Sequence, residues 1–186
     1  MCPVTIRNAD PERDGAACAA IYAPSVEENV TSFEERAPGA ADMAARIAGY
    51  SATHPWLVAE DGGEVVGYAY ACPFQERPAY RWSVSVSVYV AAGRVGRGLG
   101  RALYMELLAG LRRQGFRNAC AGITLPNAAS VGLHESLGFE PVGVNRGVGW
   151  KHGAWRDVGW WQLELSPAPA GEPPEPLPPE PAAPPG

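Results

Sequence analysis

The chain is poor in the residues that build metal sites and disulfide frameworks. It has three histidines, and its four cysteines (Cys2, Cys18, Cys72, Cys120) lie far apart in the sequence. No Cys-x-x-Cys pair occurs and no histidine stands at zinc spacing, so neither a metal centre nor a disulfide scaffold is expected. No apolar run reaches membrane-spanning length, and the first residues, Met1 to Arg7, lack a secretory pattern. A cytosolic protein is expected. The net charge is −5 and drops to −2 without the three glutamates after position 165, so no basic footprint for nucleic acid exists. Internal repeats are absent too.

What is present centres on residues 83–115. Ser83 to Val90 alternates polar and apolar residues with valine at every even position, a strand signal of period two. Ala91 to Arg101 follows with four glycines and three arginines. The period then changes: Leu99, Leu103, Leu107 and Leu111 share one helical face, and Gly115 ends the helix. The first N–H groups of a helix lack internal partners and sit at the positive end of its dipole, so they favour an anion. Glycines let a ligand approach the backbone, and arginines add charge. The expected ligand group is a phosphate or diphosphate, although a tight turn that binds nothing would carry the same glycines.

Two familiar phosphate loops do not fit. Gly93 and Gly98 have the spacing of a nucleoside-triphosphate loop, but Leu99 and Gly100 stand where lysine and a hydroxyl residue are needed. Gly96-Arg97-Gly98-Leu99-Gly100 does not supply the dinucleotide fingerprint either.

The rest of the chain alternates elements. Val4 to Asn8 reads as a strand. Asp10-Pro11 starts a helix running to about Tyr22, with Ala23-Pro24 ending it. Residues 25–38 read as an acidic loop holding Glu27 and Phe33. Ala40 to Tyr50 reads as a helix, Trp56 to Glu60 and Glu64 to Cys72 as a hairpin around Asp61-Gly62-Gly63, and residues 73–80 as a polar connection. Arg117 to Leu125 is a strand. Asn127 caps a helix over residues 128–137, with Gly138 as its left-handed end, and two strands close the domain. Residues 166–186 hold ten of the nineteen prolines and almost no large apolar side chain. They are expected to form a disordered, solvated, extended tail beyond a domain of residues 1–165.

The turn resembles the acetyl-CoA site of the GNAT N-acetyltransferase superfamily, with Val95-Gly96-Arg97-Gly98-Leu99-Gly100 matching its Gln/Arg-x-x-Gly-x-Gly/Ala pattern except for valine at the first position. Longer stretches are similar to the phosphinothricin N-acetyltransferase branch: Trp56 to Glu60, Val88-Tyr89-Val90, Leu125-Pro126-Asn127, His134 to Gly138 and Lys151 to Gly159. The likeness covers residues 4–165. It implies an α/β (α+β) fold with a mixed, mostly antiparallel sheet flanked by helices. It implies acetyl-CoA as cosubstrate, no metal, a homodimer, and acetylation of the free amine of phosphinothricin, methionine sulfoximine or a similar amino-acid-like substrate. A domain that holds acyl-CoA without turnover is the competing function.

The resemblance also implies roles. Val88 and Val90 would pair with the pantetheine arm, and the N–H of Tyr89 or Val90 would serve the developing oxyanion. Gly96, Arg97, Gly98, Leu99, Gly100 and Arg101 would hold the diphosphate, and Asn127 would touch the cosubstrate as well as cap its helix. His134 would protonate the departing thiolate. Phe33, Arg77, Tyr80 and Ser87 match substrate positions, with Gln75 replacing a family lysine. The family's glutamate base falls at Ser85, which cannot take a proton unaided near neutral pH. A water held by Ser85, or Glu27 from the acidic loop, would have to serve.

Overall fold

The computed structural model describes residues 4–180. Seven strands and four helices follow one another as β1 (Thr5–Asn8), α1 (Pro11–Glu27), α2 (Ala40–Ser51), β2 (Trp56–Asp61), β3 (Glu64–Pro73), β4 (Ser83–Val90), α3 (Leu99–Gln114), β5 (Asn118–Leu125), α4 (Ala128–Ser136), β6 (Glu140–Lys151) and β7 (Ala154–Glu164). Short 3-10 turns at Pro78–Tyr80 and Ala92–Arg94 flank β4. The sheet order is β1-β2-β3-β4-β5-β7-β6. Every pairing is antiparallel except β4 with β5. This is the mixed, mostly antiparallel architecture expected from the sequence.

Period-two alternation sorts side chains onto two faces. On one face Val84 and Val86 of β4 pack with Leu103, Leu107 and Leu111 of α3 in an aliphatic core, with Val88 against it. On the other, Tyr68 and Trp56 pack with Cys18, Val26, Met43 and Ile47 of α1 and α2, and Tyr89 joins them. Close helix packing on this second face needs Gly15: a Cβ there would lie 2.9 Å from the Ala40 carbonyl oxygen. The Asp14 carboxylate, with a side chain 1% exposed, receives Arg7 Nη1 at 2.6 Å. Burial alone would raise the Asp14 carboxyl, but hydrogen bonds from Arg7 and from the Asp10 amide hold it below its ordinary value.

Two segments depart from the sequence reading. Helix α1 does not stop at Tyr22 but continues through Pro24 to Glu27. Proline forfeits one helical N–H, yet the next turn stays because Val26 is buried against the aromatic core and the Glu28 amide donates to the Pro24 carbonyl at 3.0 Å. Residues 166–180 carry no helix or strand, but they run along the domain instead of away from it. The Trp82 indole donates to the Pro174 carbonyl at 2.7 Å, the Leu177 amide donates to the Gln114 carbonyl at 2.8 Å, and Arg81 pairs with Glu175. An extended proline-rich backbone leaves its carbonyls open, and side-chain donors of the domain reach them. Residues 181–186 lie outside the described part. No helix among the described residues is long and apolar enough to cross a membrane.

Candidate active site

The site begins where β4 and β5 part. They pair only through Ser83, Ser85 and the residue between, opposite Asn118 to Cys120. On its other side β4 pairs with β3 without a register shift from Val84 to Val90. The Phe74 amide donates to the Ser83 carbonyl and the Ala91 amide to the Val66 carbonyl. In an antiparallel ladder alternate residues bond the same neighbour. Odd positions of β4 therefore turn their main chain to β3, and even positions turn theirs toward β5. Beyond Ser85 no β5 residue answers, so Val88 and Val90 offer N–H and C=O groups to an open cleft. Tyr89 gives its main chain to β3, which leaves Val90 as the amide donor of the two expected.

A cavity of about 240 Å³ fills the divergence, lined by Val86 to Val90, Ala121 to Thr124, Tyr104, Asn127, Ser130 and His134, with Ile21, Ser25 and Thr31 at its border. At its edge α3 starts. Gly96 and Gly98 have φ of 80° and 79°, a left-handed backbone that suits glycine. No side chain caps this helix, and its first helical bond is Ala102 to Gly98. The N–H groups of Leu99, Gly100 and Arg101 are thus left for a ligand. Gly100 allows the helix to approach the cleft: a Cβ there would sit 3.4 Å from Leu133 Cδ2 and 3.9 Å from the Val88 and Val90 methyls. Of the three turn arginines, Arg94 is engaged by Asp61 and Arg101 by the Ser136 carbonyl and hydroxyl. Arg97 is exposed. Uncapped amides, left-handed glycines and a strand with free main-chain groups fit a diphosphate followed by an amide-bearing arm, which is the make-up of acetyl-CoA.

Helix α4 supplies two side chains. Asn127 accepts from the Ser130 amide at 3.0 Å as the helix cap and also lines the cavity. His134 is 3% exposed; its Nδ1 lies 2.7 Å from the Ser130 carbonyl oxygen and its Nε2 lies 3.0 Å from the Tyr104 hydroxyl. Burial pushes its imidazole below the ordinary value, against the hydrogen bond to Ser130, which raises it. The left-handed Gly138 and the bond from the Phe139 amide to the His134 carbonyl close the helix behind it.

Ser87, Val88, Tyr89, Val90, Asn127 and His134 thus meet around one cavity, with the turn from Gly96 to Arg101 beside it. Five other expected residues lie elsewhere. Ser85 sits deeper on β4, in register between Cys72 and Cys120, and is not among the lining residues. Glu27 is the exposed last residue of α1, because the helix carries it past the loop it was assigned to. Phe33 covers Gly149 of β6, where a Cβ would fall 2.2 Å from its ring. Arg77 and Tyr80 are exposed and line a separate surface cavity of about 540 Å³ with Tyr50, Phe74 and Gln75. Five polar lining residues were not anticipated: Tyr104, Thr124 and Ser130, with Ser25 and Thr31. For Tyr104 a signal existed, a hydroxyl-bearing ring next to the leucine stripe of α3. Cys72 and Cys120 have thiols pushed up by burial, so neither is a ready nucleophile. No cluster of metal-binding side chains occurs among the described residues.

Residues 6–160 match the model of the acetyltransferase (GNAT) domain. A phosphinothricin N-acetyltransferase of Streptomyces viridochromogenes is 41% identical, with 90% of this chain and 91% of that protein covered. An L-methionine sulfoximine/L-methionine sulfone acetyltransferase of Salmonella typhimurium is 39% identical over 87% of this chain and 95% of its own length. Among solved structures, a phosphinothricin acetyltransferase of Sinorhizobium meliloti in complex with AcCoA superimposes with a TM-score of 0.86 at 38% identity, covering 94% of this chain and 95% of that one. The chain thus belongs to the GNAT family, in the branch of the phosphinothricin N-acetyltransferases, and acetyl-CoA is its cosubstrate.

Proposed function

We propose that this acetyl-CoA-dependent N-acetyltransferase acts on the free α-amine of a small amino-acid-like substrate of the phosphinothricin or methionine sulfoximine type. The observation that carries the reading is the pair of unpartnered β4 residues, Val88 and Val90, opening onto a cleft next to the uncapped start of α3. In this reading the amides of residues 96–101 bind the diphosphate, and the Val88 and Val90 main chain aligns the arm that carries the thioester. The Val90 N–H donates to the thioester oxygen as charge gathers on it during attack by the amine. Asn127, fixed by its cap bond, bounds the arm from the α4 side.

The acceptor is approached from the opposite face of the sheet. Ser87 borders the cleft there, and Arg77 and Tyr80 supply a cation and a hydroxyl for an acid group of the substrate. Gln75 and Glu76 add no second cation beside Arg77, so this cavity has little positive charge to offer a doubly acidic substrate. A thiol-release assay with phosphinothricin, methionine sulfoximine and a panel of amino acids tests the assignment. Release with at least one small amino acid is expected; tight CoA binding without release on any amine would instead make this a domain that holds acyl-CoA without turnover.

Two copies are proposed to pair through the β6–β7 wing. Val142, Val144, Val148 and Trp150 of the edge strand and Trp155 beside them are exposed, an apolar strip that a second copy would cover. Light scattering at the dimer mass is expected, and a monomer at micromolar concentration would contradict it. A cytosolic location is part of the same reading.

A further inference from the structure

Neither Ser85 nor Glu27 lines the cleft, and no carboxylate is among its lining residues. The cleft nevertheless contains a buried pair of ionisable groups. His134 Nδ1 lies 2.7 Å from the Ser130 carbonyl oxygen. A carbonyl only accepts, so Nδ1 carries the hydrogen and the neutral ring presents a lone pair at Nε2. The group 3.0 Å from that lone pair is the Tyr104 hydroxyl, which must then donate to it. The order is fixed: Tyr104 O–H to His134 Nε2, and His134 Nδ1–H to the Ser130 carbonyl. In this state His134 has no proton to give toward Tyr104. It is set to receive one.

We propose that Tyr104 and His134 form the proton acceptor of the acetyl transfer, in a cleft lined by no carboxylate. The proposal rests on the acetyltransferase reading above. The Tyr104 oxygen takes a proton from the substrate ammonium, directly or through one water, while its own proton passes to His134 Nε2, giving an imidazolium. The freed amine attacks the thioester carbonyl carbon; the C–N bond forms and the C–S bond breaks. The sulfur leaves with the bonding pair and takes a proton from the imidazolium back through Tyr104. The second nitrogen proton, shed as the amide forms, goes to solvent. One ammonium and one thioester thus give one amide, one thiol and one proton, and the pair returns to its starting state. His134 becomes the acid for the thiolate only after the substrate has loaded it.

The surroundings suit this cycle. Tyr104 is 1% exposed and its phenol is raised far above its ordinary value by burial, so it stays a hydroxyl and relays without ionising. Burial likewise keeps the His134 ring neutral near pH 7. The groups around the ring are Tyr104 from α3, Ser130 from its own helix and the Phe139 edge, and none is charged; the neighbouring Glu135 turns away to accept from the Trp161 indole.

The test is the pH profile of kcat/KM for the amine, in the full chain and in Tyr104→Phe and His134→Gln. With an internal acceptor, the full chain holds a plateau between the ionisation of His134 and that of the substrate ammonium. Each variant is expected to lose about 10²–10⁴-fold near neutrality, to climb about tenfold per pH unit as free amine accumulates, and to approach the parent at the amine's own ionisation. The acetyl-CoA dissociation constant should change less than about threefold, within the spread of ordinary surface substitutions, which separates the relay from a packing defect. A variant that is slower at every pH but keeps the plateau would overturn the relay and leave the acetyltransferase reading intact. No thiol release by the parent with any amine would overturn both. Nitrogen-15 spectra of the imidazole rings in the unsubstituted protein supply a second readout: the Nδ1–H tautomer is expected for His134, and an Nε2–H tautomer would overturn the proposal even if both variants failed to fold.

Discussion

In the proposed reading, two stretches of this molecule serve one reaction by different means. From Val86 to Arg101 the working groups belong to the main chain: open N–H and C=O groups of β4, then uncapped amides of α3. From Pro73 to Arg81 they belong to side chains, Arg77 and Tyr80 on a surface loop with a single 3-10 turn. Main-chain recognition needs a strand of fixed register, glycines at left-handed positions and a helix held at a set distance. Each of these leaves a trace in the sequence. Side-chain recognition needs only that certain atoms converge, and any residue whose backbone happens to pass nearby can supply them.

The difference can be broken at its strongest point by removing the anchor of the main-chain half. Leu107 is fully buried between α3 and the sheet. Leu107→Ala should cost roughly 2–5 kcal/mol of stability in urea unfolding, and α3 should loosen its hold on the cosubstrate as a consequence. A loss below about 1 kcal/mol would mean that the helix is not the rigid element assumed here. A more selective change is Gly98→Val. No atom crowds the position, so its effect comes from forcing a β-branched residue into φ of 79°. The predicted cost is about 1–2 kcal/mol, read by calorimetry as a drop in acetyl-CoA affinity of about five- to thirtyfold.

On the side-chain half, Arg77→Ala should leave acetyl-CoA affinity and stability as they were. It should raise KM for an acidic amino acid by about 1 kcal/mol equivalent, since Arg77 is exposed and its pairing is screened. An unchanged KM would remove the loop from the acceptor site. The smallest expected effect is on pH dependence. His54 and His134 are both lowered by burial. Their contribution to stability is therefore complete above the unfolded histidine value of about 6.5 and is lost as pH falls through that value toward the folded one. The urea midpoint should decline from neutral pH toward pH 5, whereas a histidine raised by folding would make it climb.

The legible parts of the chain follow this division. The valine alternation of β4, the leucine face of α3, the left-handed Gly115 and Gly138 and the Asn127 cap all reflect short-range rules, and the structure has them where the sequence put them. The continuation of α1 past Pro24 was hidden because it depends on Val26 meeting a core assembled from distant strands. That one additional turn carries Glu27 out of the loop. Nothing local reveals that Phe33 will rest on Gly149, more than a hundred residues away. Tyr104 stands beside the leucine stripe of α3, and only the folded position of His134 gives its hydroxyl a partner. The tail over residues 166–180 reads as solvated by composition, yet Trp82, Gln114 and Asn8 from three separate parts of the domain donate to its open carbonyls.

A crystal structure of the chain with acetyl-CoA tests the central claim most directly. The diphosphate is predicted to lie within hydrogen-bond distance of main-chain nitrogens between Gly96 and Arg101, with the arm paired to Val88 and Val90 and the thioester oxygen at the Val90 amide. A cosubstrate bound elsewhere, or one held at the turn by arginine side chains while those nitrogens stay unpaired, would contradict the account.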